Sequence, residues 1–306
     1  MPDAHPRPIK VEAPTVTIAG WDYGNRSAPP LVLLHGLTDL AWSLHPIAEQ
    51  FADRFHVLNL DLRGHGDSSH PGRYTVPHFV SDLRFVIDAL ALERPILFGH
   101  SMGSIVTGTF AGTWPDEPAA LVMVEGLGPP PRRGETELTG RRVIARALIE
   151  SLIEDASRPP MSGIDVACDR LHRAHPSLEE ARLTELVEAG TRPGPDGGLV
   201  WKWDPRVREW IAVFDRERYE ECWMAVTCPT MVVTGTHAWE RWWNPTSAVR
   251  PGPGFDGPMS DTERHRRLGL FADVEHHDLD AGHMVHFDAP NELVDVTTRF
   301  LTARLG

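Results

Sequence analysis

A chain of 306 residues can bury one large core and still carry an inserted subdomain. Its 30 Lys and Arg against 43 Asp and Glu leave a formal charge of −13, which argues against nucleic acid and anionic membrane surfaces as partners. No apolar run reaches the roughly 18 residues of a membrane span, and three cysteines without metal-like spacing (Cys168, Cys222, Cys228) suit a reduced, cytoplasmic setting.

Met1 to Pro14 is polar and proline-containing, lacks the apolar core of a signal peptide, and reads as a flexible leader. Thr15 to Ala19 alternates as a strand does, and Gly20 to Gly24 reads as a hairpin turn. Leu31 to Leu34 is a buried-strand pattern ending in His35-Gly36. Leu44 to Phe51 has helical spacing, and Phe55 to Leu60 is another strand ending at Asp61. Phe79, Leu83, Val86 and Leu90 recur at three and four residues and predict an amphipathic helix. The apolar run Pro95 to Phe98 then meets Gly99-His100-Ser101-Met102-Gly103, followed by a helical stretch from Ile105 to Trp114 that stops at Pro115.

Strand, Gly-x-Ser-x-Gly, helix is the context of a nucleophile elbow, in which a strained turn pushes the serine hydroxyl out at the top of a sheet. A further strand covers Leu121 to Val124. This βα alternation predicts an α/β chain with a mostly parallel sheet covered on both faces.

The pattern changes after Gly126. Pro129-Pro130-Pro131 breaks the chain, and Ile144, Ala147, Leu148 and Leu152 outline a one-sided helix. Ser177 to Glu180 reads as a capping box, with Gly190 closing the helix it opens. No strand alternation of the earlier kind is evident before about residue 222. The predicted organisation is therefore a core over 1–128, a helical cap over 129–222, and a second core part over 223–306. Strands resume at Met231 to Val233 and Val274 to Leu279, and a last helix runs from about Asn291 to Arg304.

On four motifs in this order, the chain resembles the α/β-hydrolase superfamily. They are His35-Gly36-Leu37-Thr38-Asp39, Asp61-Leu62-Arg63-Gly64-His65-Gly66-Asp67-Ser68, the elbow at Ser101, and Ala281-Gly282-His283. The resemblance implies an α/β-hydrolase fold with an eight-stranded, mostly parallel sheet, helices on both faces and an inserted helical cap. It also implies a triad in the order Ser, acid, His. Ser101 is then the nucleophile and His283 the base, with the backbone amides of Leu37 and Met102 as oxyanion donors. His100 is expected to pack under the site and His35 to brace its loop. The Asp61 to Ser68 loop reads as a turn held by an Asp–Arg pair. His276, His277 and His286 are expected at the surface or in loops.

The acid departs from the commonest pattern. Three residues beyond Gly235 stands Ala238, and Gly235 to Trp239 contains no carboxylate. Some relatives take the acid from the end of the preceding central strand instead, and there this chain has Glu125. Glu125 is the first choice, with Glu240 and Asp256 as alternatives.

Ser101 at the nucleophile position argues against dehalogenase and epoxide-hydrolase chemistry, which relies on Asp there. Carboxylic-ester or lactone hydrolysis through an acyl-enzyme is the expected reaction, on a small to medium, largely apolar substrate. The alternatives are C–C bond hydrolysis with the same residues, or a receptor-like binding protein with a weakened triad. Ten tryptophans are many for this length. Trp201, Trp203, Trp210, Trp223, Trp239, Trp242 and Trp243 either line an aromatic pocket or fasten the cap. Trp239, Trp201 and Trp210 are the candidates for substrate contact, Trp239 first. Asn244 to Pro258 reads as a flap or loop. No cofactor motif or metal-binding cluster is evident, and the oligomeric state is left open.

Overall fold

The computed structural model describes residues 6–131, 160–194, 197–208, 210, 215–243 and 257–306, together with isolated positions between 142 and 153. Eight strands form one sheet in the order β1-β2-β4-β3-β5-β6-β9-β10. They are β1 (Arg7–Glu12), β2 (Thr17–Asp22), β3 (Pro30–Leu34), β4 (His56–Leu60), β5 (Ile96–His100), β6 (Ala120–Val124), β9 (Thr230–Gly235) and β10 (Val274–Leu279). β1 pairs with β2, and β2 with β4, in antiparallel fashion. The other pairs are parallel. This is the mostly parallel sheet that the βα alternation predicts.

The central strands are apolar on both sides because helices cover both. Successive residues alternate between two cores. Leu31, Leu33, Ile96, Phe98, Val122 and Val233 enter one, with Ile47 and Phe51 of α1 (His45–Phe51) and Leu293 and Phe300 of α9 (Pro290–Leu305). Val32, Leu34, Leu97, Leu121, Met123 and Val232 enter the other. There they meet Phe79, Leu83 and Val86 of α2 (Val76–Ala89) and Ile105, Val106 and Phe110 of α3 (Met102–Thr113). Leu90 falls just past α2 and stays exposed, so the apolar stripe ends one turn earlier than its spacing predicts.

Two expectations for the N-terminus are corrected. Arg7–Glu12 is a strand, not a leader, with its charged residues on the exposed edge of the sheet. Gly20 lies inside β2, and the reversal falls at Ala13–Val16, closed by the Ala13 amide on the Val16 carbonyl (2.8 Å). A Cβ at Gly20 would meet the Asn59 carbonyl of β4 at 2.5 Å, so glycine here serves close strand approach rather than a turn.

Between β6 and β9 the described residues carry α4 (Ile164–Ala174), α5 (Glu180–Gly190), a short hairpin of β7 (Thr191–Pro193) and β8 (Leu199–Trp201), and α6 (Arg216–Met224). The hairpin is a strand pair where helices alone were expected. The boundary expected at 222 falls inside α6. That helix packs on α3, with Trp223 buried in the core and a Cβ at Gly112 meeting the Cys222 carbonyl at 2.0 Å.

Ser177 does not cap α5. Its hydroxyl donates to Asp288 at 2.6 Å, and Glu179 is the N-cap residue. The inserted elements grip the core through polar contacts as well. The Trp42 indole donates to Glu185 (2.6 Å), Arg182 to the Trp42 carbonyl (2.8 Å) and Tyr74 to Asp204 (2.5 Å). The segment around Ile144, Ala147, Leu148 and Leu152, the candidate acid Asp256 and most of the Asn244 to Pro258 stretch lie outside the described residues. Among the described residues no helix is long and apolar enough to cross a membrane.

Candidate active site

Ser101 sits between the last residue of β5 and the first of α3, with φ 51° and ψ −115°. A side-chain-bearing residue rarely adopts this backbone, and the neighbouring glycines make it possible. A Cβ at Gly99 would lie 2.4 Å from the Gly103 carbonyl carbon, and one at Gly103 2.3 Å from the Leu34 carbonyl oxygen. Strand β5, helix α3 and strand β3 therefore converge at van der Waals limits beneath the serine. The Ser101 amide is tied to the Val124 carbonyl (2.8 Å), which fixes the turn against β6.

Three side chains form one hydrogen-bonded row. The Ser101 hydroxyl donates to His283 Nε2 at 3.0 Å, and His283 Nδ1 donates to Glu125 Oε2 at 2.9 Å. One neutral tautomer, with its proton on Nδ1, satisfies both contacts. Glu125 directly follows β6, and its own left-handed backbone (φ 52°) turns the side chain across the strand ends. Its other oxygen accepts from the Gly235 amide at 2.7 Å, at the end of β9. The side chains of His283 and Glu125 are only 2% and 8% exposed, so water competes weakly for these bonds. Such a row can draw a proton from a serine hydroxyl while a fixed carboxylate orients the base. The alternative acid Glu240 is exposed, on the Trp239–Trp243 turn.

The Met102 amide opens α3 and has no carbonyl of its own helix to bind. Leu37 lies in the loop after β3, next to Thr38, whose φ of 58° bends the chain there. The Thr38 amide is occupied by His65 Nε2 (3.2 Å). His35 braces the loop as expected, with Nδ1 donating to the Gly36 carbonyl (2.7 Å) and Nε2 accepting from the Leu62 amide (3.0 Å). An Asp–Arg pair holds the Asp61 to Ser68 turn, as expected, with the Asp supplied by α2. Asp61 accepts from the amides of Ala41 and Asp67, while Arg63 pairs with Asp82 of α2 at 2.6 and 2.5 Å. Burial pushes the Asp61 carboxyl up to about 6, against those two amide bonds.

Histidines crowd behind the row. His100 donates from Nε2 to the His283 carbonyl (2.9 Å), and burial drives its imidazole down to about 3. His286, expected at the surface or in a loop, is 2% exposed. It belongs to α8 (Val285–Asp288) and stacks edge-on to His100, 4.6 Å between centroids. Burial pushes it well below its ordinary value too. Asp39 of the loop after β3 completes this group, its carboxyl raised by burial to about 7.

The tryptophans divide by position. Trp242 and Trp243 flank the His283 ring, at 4.8 Å nearly parallel and 5.3 Å edge-on. Trp210 and Trp223 are buried in the core, and Trp201 packs in a small cluster with Met161 and Val187. Trp239 is half-buried at the start of the same turn as Trp242. His175, which sequence reasoning did not single out, reaches this wall from the insertion. Its ring is nearly parallel to Trp242 at 6.1 Å, and burial lowers it to about 4. Nothing in its sequence neighbourhood marks it.

Residues 29–144 match the family model described as alpha/beta hydrolase fold. Serine hydrolase-like protein 2 of Homo sapiens is 27% identical over 303 residues, covering 96% of this chain and 93% of that one. A serine hydrolase-like protein of Danio rerio is 28% identical over 207 residues, 65% of this chain, and that match spans 62% of the zebrafish protein. Among solved structures, E-2-(acetamidomethylene)succinate hydrolase superposes with a TM-score of 0.76 at 22% identity, covering 97% of this chain and all of that one. A thioesterase domain from the curacin biosynthetic pathway gives 0.75 at 22% identity, over 96% and 99% of the two chains. A Mycobacterium tuberculosis esterase gives 0.72 at 20% identity, over 97% and 92%. With its eight-stranded sheet, its serine elbow and these similarities, the chain has the α/β-hydrolase fold.

Proposed function

We propose that the chain is a serine hydrolase of carboxylic esters or lactones, acting on a small to medium, largely apolar substrate. The observation that carries this reading is the unbroken row Ser101–His283–Glu125 at 3.0 and 2.9 Å, with Ser101 on a strained turn. Ser101 Oγ attacks the carbonyl carbon and His283 Nε2 takes its proton. The amides of Met102 and Leu37 hold the oxyanion, helped by the positive end of α3. The intermediate collapses, the C–O bond to the alcohol breaks, and His283 returns the proton to the leaving oxygen. Water then enters, loses its proton to His283 and attacks the acyl carbon; the bond to Ser101 Oγ breaks, His283 returns the proton to Oγ, and the acid leaves. Glu125 keeps the imidazole in the tautomer that both half-reactions need.

The reading requires no cofactor. The aromatic wall of Trp242 and Trp243, with Trp239 at its start, supports an apolar substrate. Trp201 and Trp210 lie in packing positions and serve chiefly to fasten the insertion. The names borne by the relatives, serine hydrolase-like protein and esterase, favour the same reading. The three unpaired cysteines support a reducing, cytoplasmic setting.

The test is hydrolysis of 4-nitrophenyl esters from acetate to decanoate by wild type and Ser101→Ala. Turnover that peaks at one chain length and vanishes in the variant is the expected result. Absence of serine-dependent turnover on every ester would overturn ester hydrolysis in favour of C–C bond cleavage or ligand binding.

A further inference from the structure

Behind the His283 ring, Asp39, His100 and His286 converge from three separate elements, and the hydrolytic scheme uses none of them. Each offers one donor atom, and these atoms all lie within 4.8 Å of one another. His286 Nε2 stands 3.9 Å from Asp39 Oδ2, too far for a hydrogen bond. His100 Nδ1 and both ring nitrogens of His286 are buried without a hydrogen-bond partner among the described residues. Leaving a buried polar group unsatisfied costs on the order of 1–3 kcal/mol, and here one such nitrogen from each of two rings faces the same spot as Asp39.

We propose that Asp39, His100 and His286 bind a single divalent transition-metal ion, with Zn²⁺ the best chemical match. Two imidazole nitrogens and one carboxylate oxygen form a common donor set for zinc, whereas Ca²⁺ and Mg²⁺ demand oxygen ligands. For His100 and Asp39 the outer contacts have the form that metal ligands need. His100 donates its Nε2 proton to the His283 carbonyl (2.9 Å), which leaves the Nδ1 lone pair free to coordinate. Ser43 donates to Asp39 Oδ2 at 2.8 Å and steadies the carboxylate. Tetrahedral zinc with bonds of about 2.0–2.1 Å sets its ligands roughly 3.4 Å apart. The widest separation in the cluster therefore closes by up to about 1.4 Å, within reach of side-chain rotation. The Asp39 side chain is 11% exposed, against 1% for that of His286, so entry and the remaining coordination position lie on the Asp39 side. An ion on His100 also bears on the backbone of His283 through their hydrogen bond, which ties its occupancy to the placement of that ring.

Binding is tested without reference to any substrate. Chelator-treated protein is titrated with Co²⁺, whose visible absorption reports coordination by nitrogen and oxygen in a tetrahedral field. One equivalent is expected to saturate a visible band that Zn²⁺ then abolishes by displacement. The band should persist in His283→Asn and in His276→Asn, which remove a neighbouring histidine and a histidine of β10. It should disappear in His286→Asn, and Asp39→Asn should weaken binding at least about 10-fold. Circular dichroism establishes that each variant is folded. Should His286→Asn fail to fold, Asp39→Asn and the wild-type spectrum decide. No band in wild type, a band indifferent to both His286→Asn and Asp39→Asn, or one lost in His283→Asn or His276→Asn, would overturn the site.

Discussion

The indole of Trp242 lies against the imidazole of His283, 4.8 Å between ring centroids and 21° between planes. In the proposed mechanism His283 becomes an imidazolium in each transition state, and an aromatic face stabilises such a cation by about 0.5–2 kcal/mol. Trp242→Leu should therefore lower kcat by roughly 2- to 30-fold while leaving the fold intact. Steady-state kinetics on the preferred ester check this. A raised KM with kcat unchanged would instead assign Trp242 to substrate binding alone.

Glu125 is the second residue whose role kinetics can isolate. It holds both His283 Nδ1 (2.9 Å) and the Gly235 amide (2.7 Å). Glu125→Gln keeps the shape but offers an amide where the imidazole N–H needs an acceptor with charge. The expected loss in kcat is about 10³- to 10⁴-fold, with a small change in KM. Glu240→Gln, altered at an exposed position, should retain the wild-type rate. Equal losses in both variants, or none in either, would remove Glu125 from the proposed triad.

The parts of this arrangement differ in how far the sequence betrays them. The central strands were legible because burial on both faces leaves an uninterrupted apolar run, as in Leu31 to Leu34 and Leu121 to Val124. The position of Glu125 was legible for the same reason, since a carboxylate directly after such a run must lie at a strand end. The first strand was not, because its alternation is only two residues long, Ile9 and Val11 between exposed Lys10 and Glu12, and prolines surround it. Gly20 looked like a turn because close strand approach and a left-handed backbone select the same residue. The tryptophan wall was legible only as composition. The turn Trp239–Trp243 decides that Trp242 and Trp243, rather than Trp239, face His283, and no local pattern encodes it. His286 was misjudged because its burial comes from packing against His100 and Phe287, which are distant or unremarkable in sequence.

The strained turn at Ser101 makes a prediction about stability. A backbone at φ 51° and ψ −115° costs of the order of 1–3 kcal/mol for a residue with a Cβ. Ser101→Gly relieves that cost, less about 0.5–1 kcal/mol for the added freedom of the unfolded chain. Ser101→Ala retains the strain. Both variants should be inactive, and the glycine variant should be more stable than the alanine variant by about 1 kcal/mol. Calorimetric melting of the pair decides the matter. An alanine variant that melts at or above the glycine variant would show that the turn stores no such strain.

His65 supplies a pH dependence whose sign can be worked out. It is fully buried, with Nδ1 donating to the Arg63 carbonyl (3.0 Å) and Nε2 accepting from the Thr38 amide (3.2 Å). The second contact needs a lone pair, so only the neutral ring satisfies both. Burial is the main cause that lowers this histidine from 6.5 to about 4. Between those values the unfolded chain binds a proton at His65 that the folded chain does not, so stability rises with pH across this window. The contribution is complete above about pH 6.5 and is lost as the pH falls towards 4. At about 1.4 kcal/mol per pH unit it amounts to about 3.5 kcal/mol. Wild type should accordingly lose stability steeply from pH 6.5 to 4 in urea titrations. His65→Gln, which cannot take up a proton, should lower that slope by about one proton while starting from a less stable protein at pH 7. An identical slope in the two proteins would place the acid sensitivity in the other buried histidines.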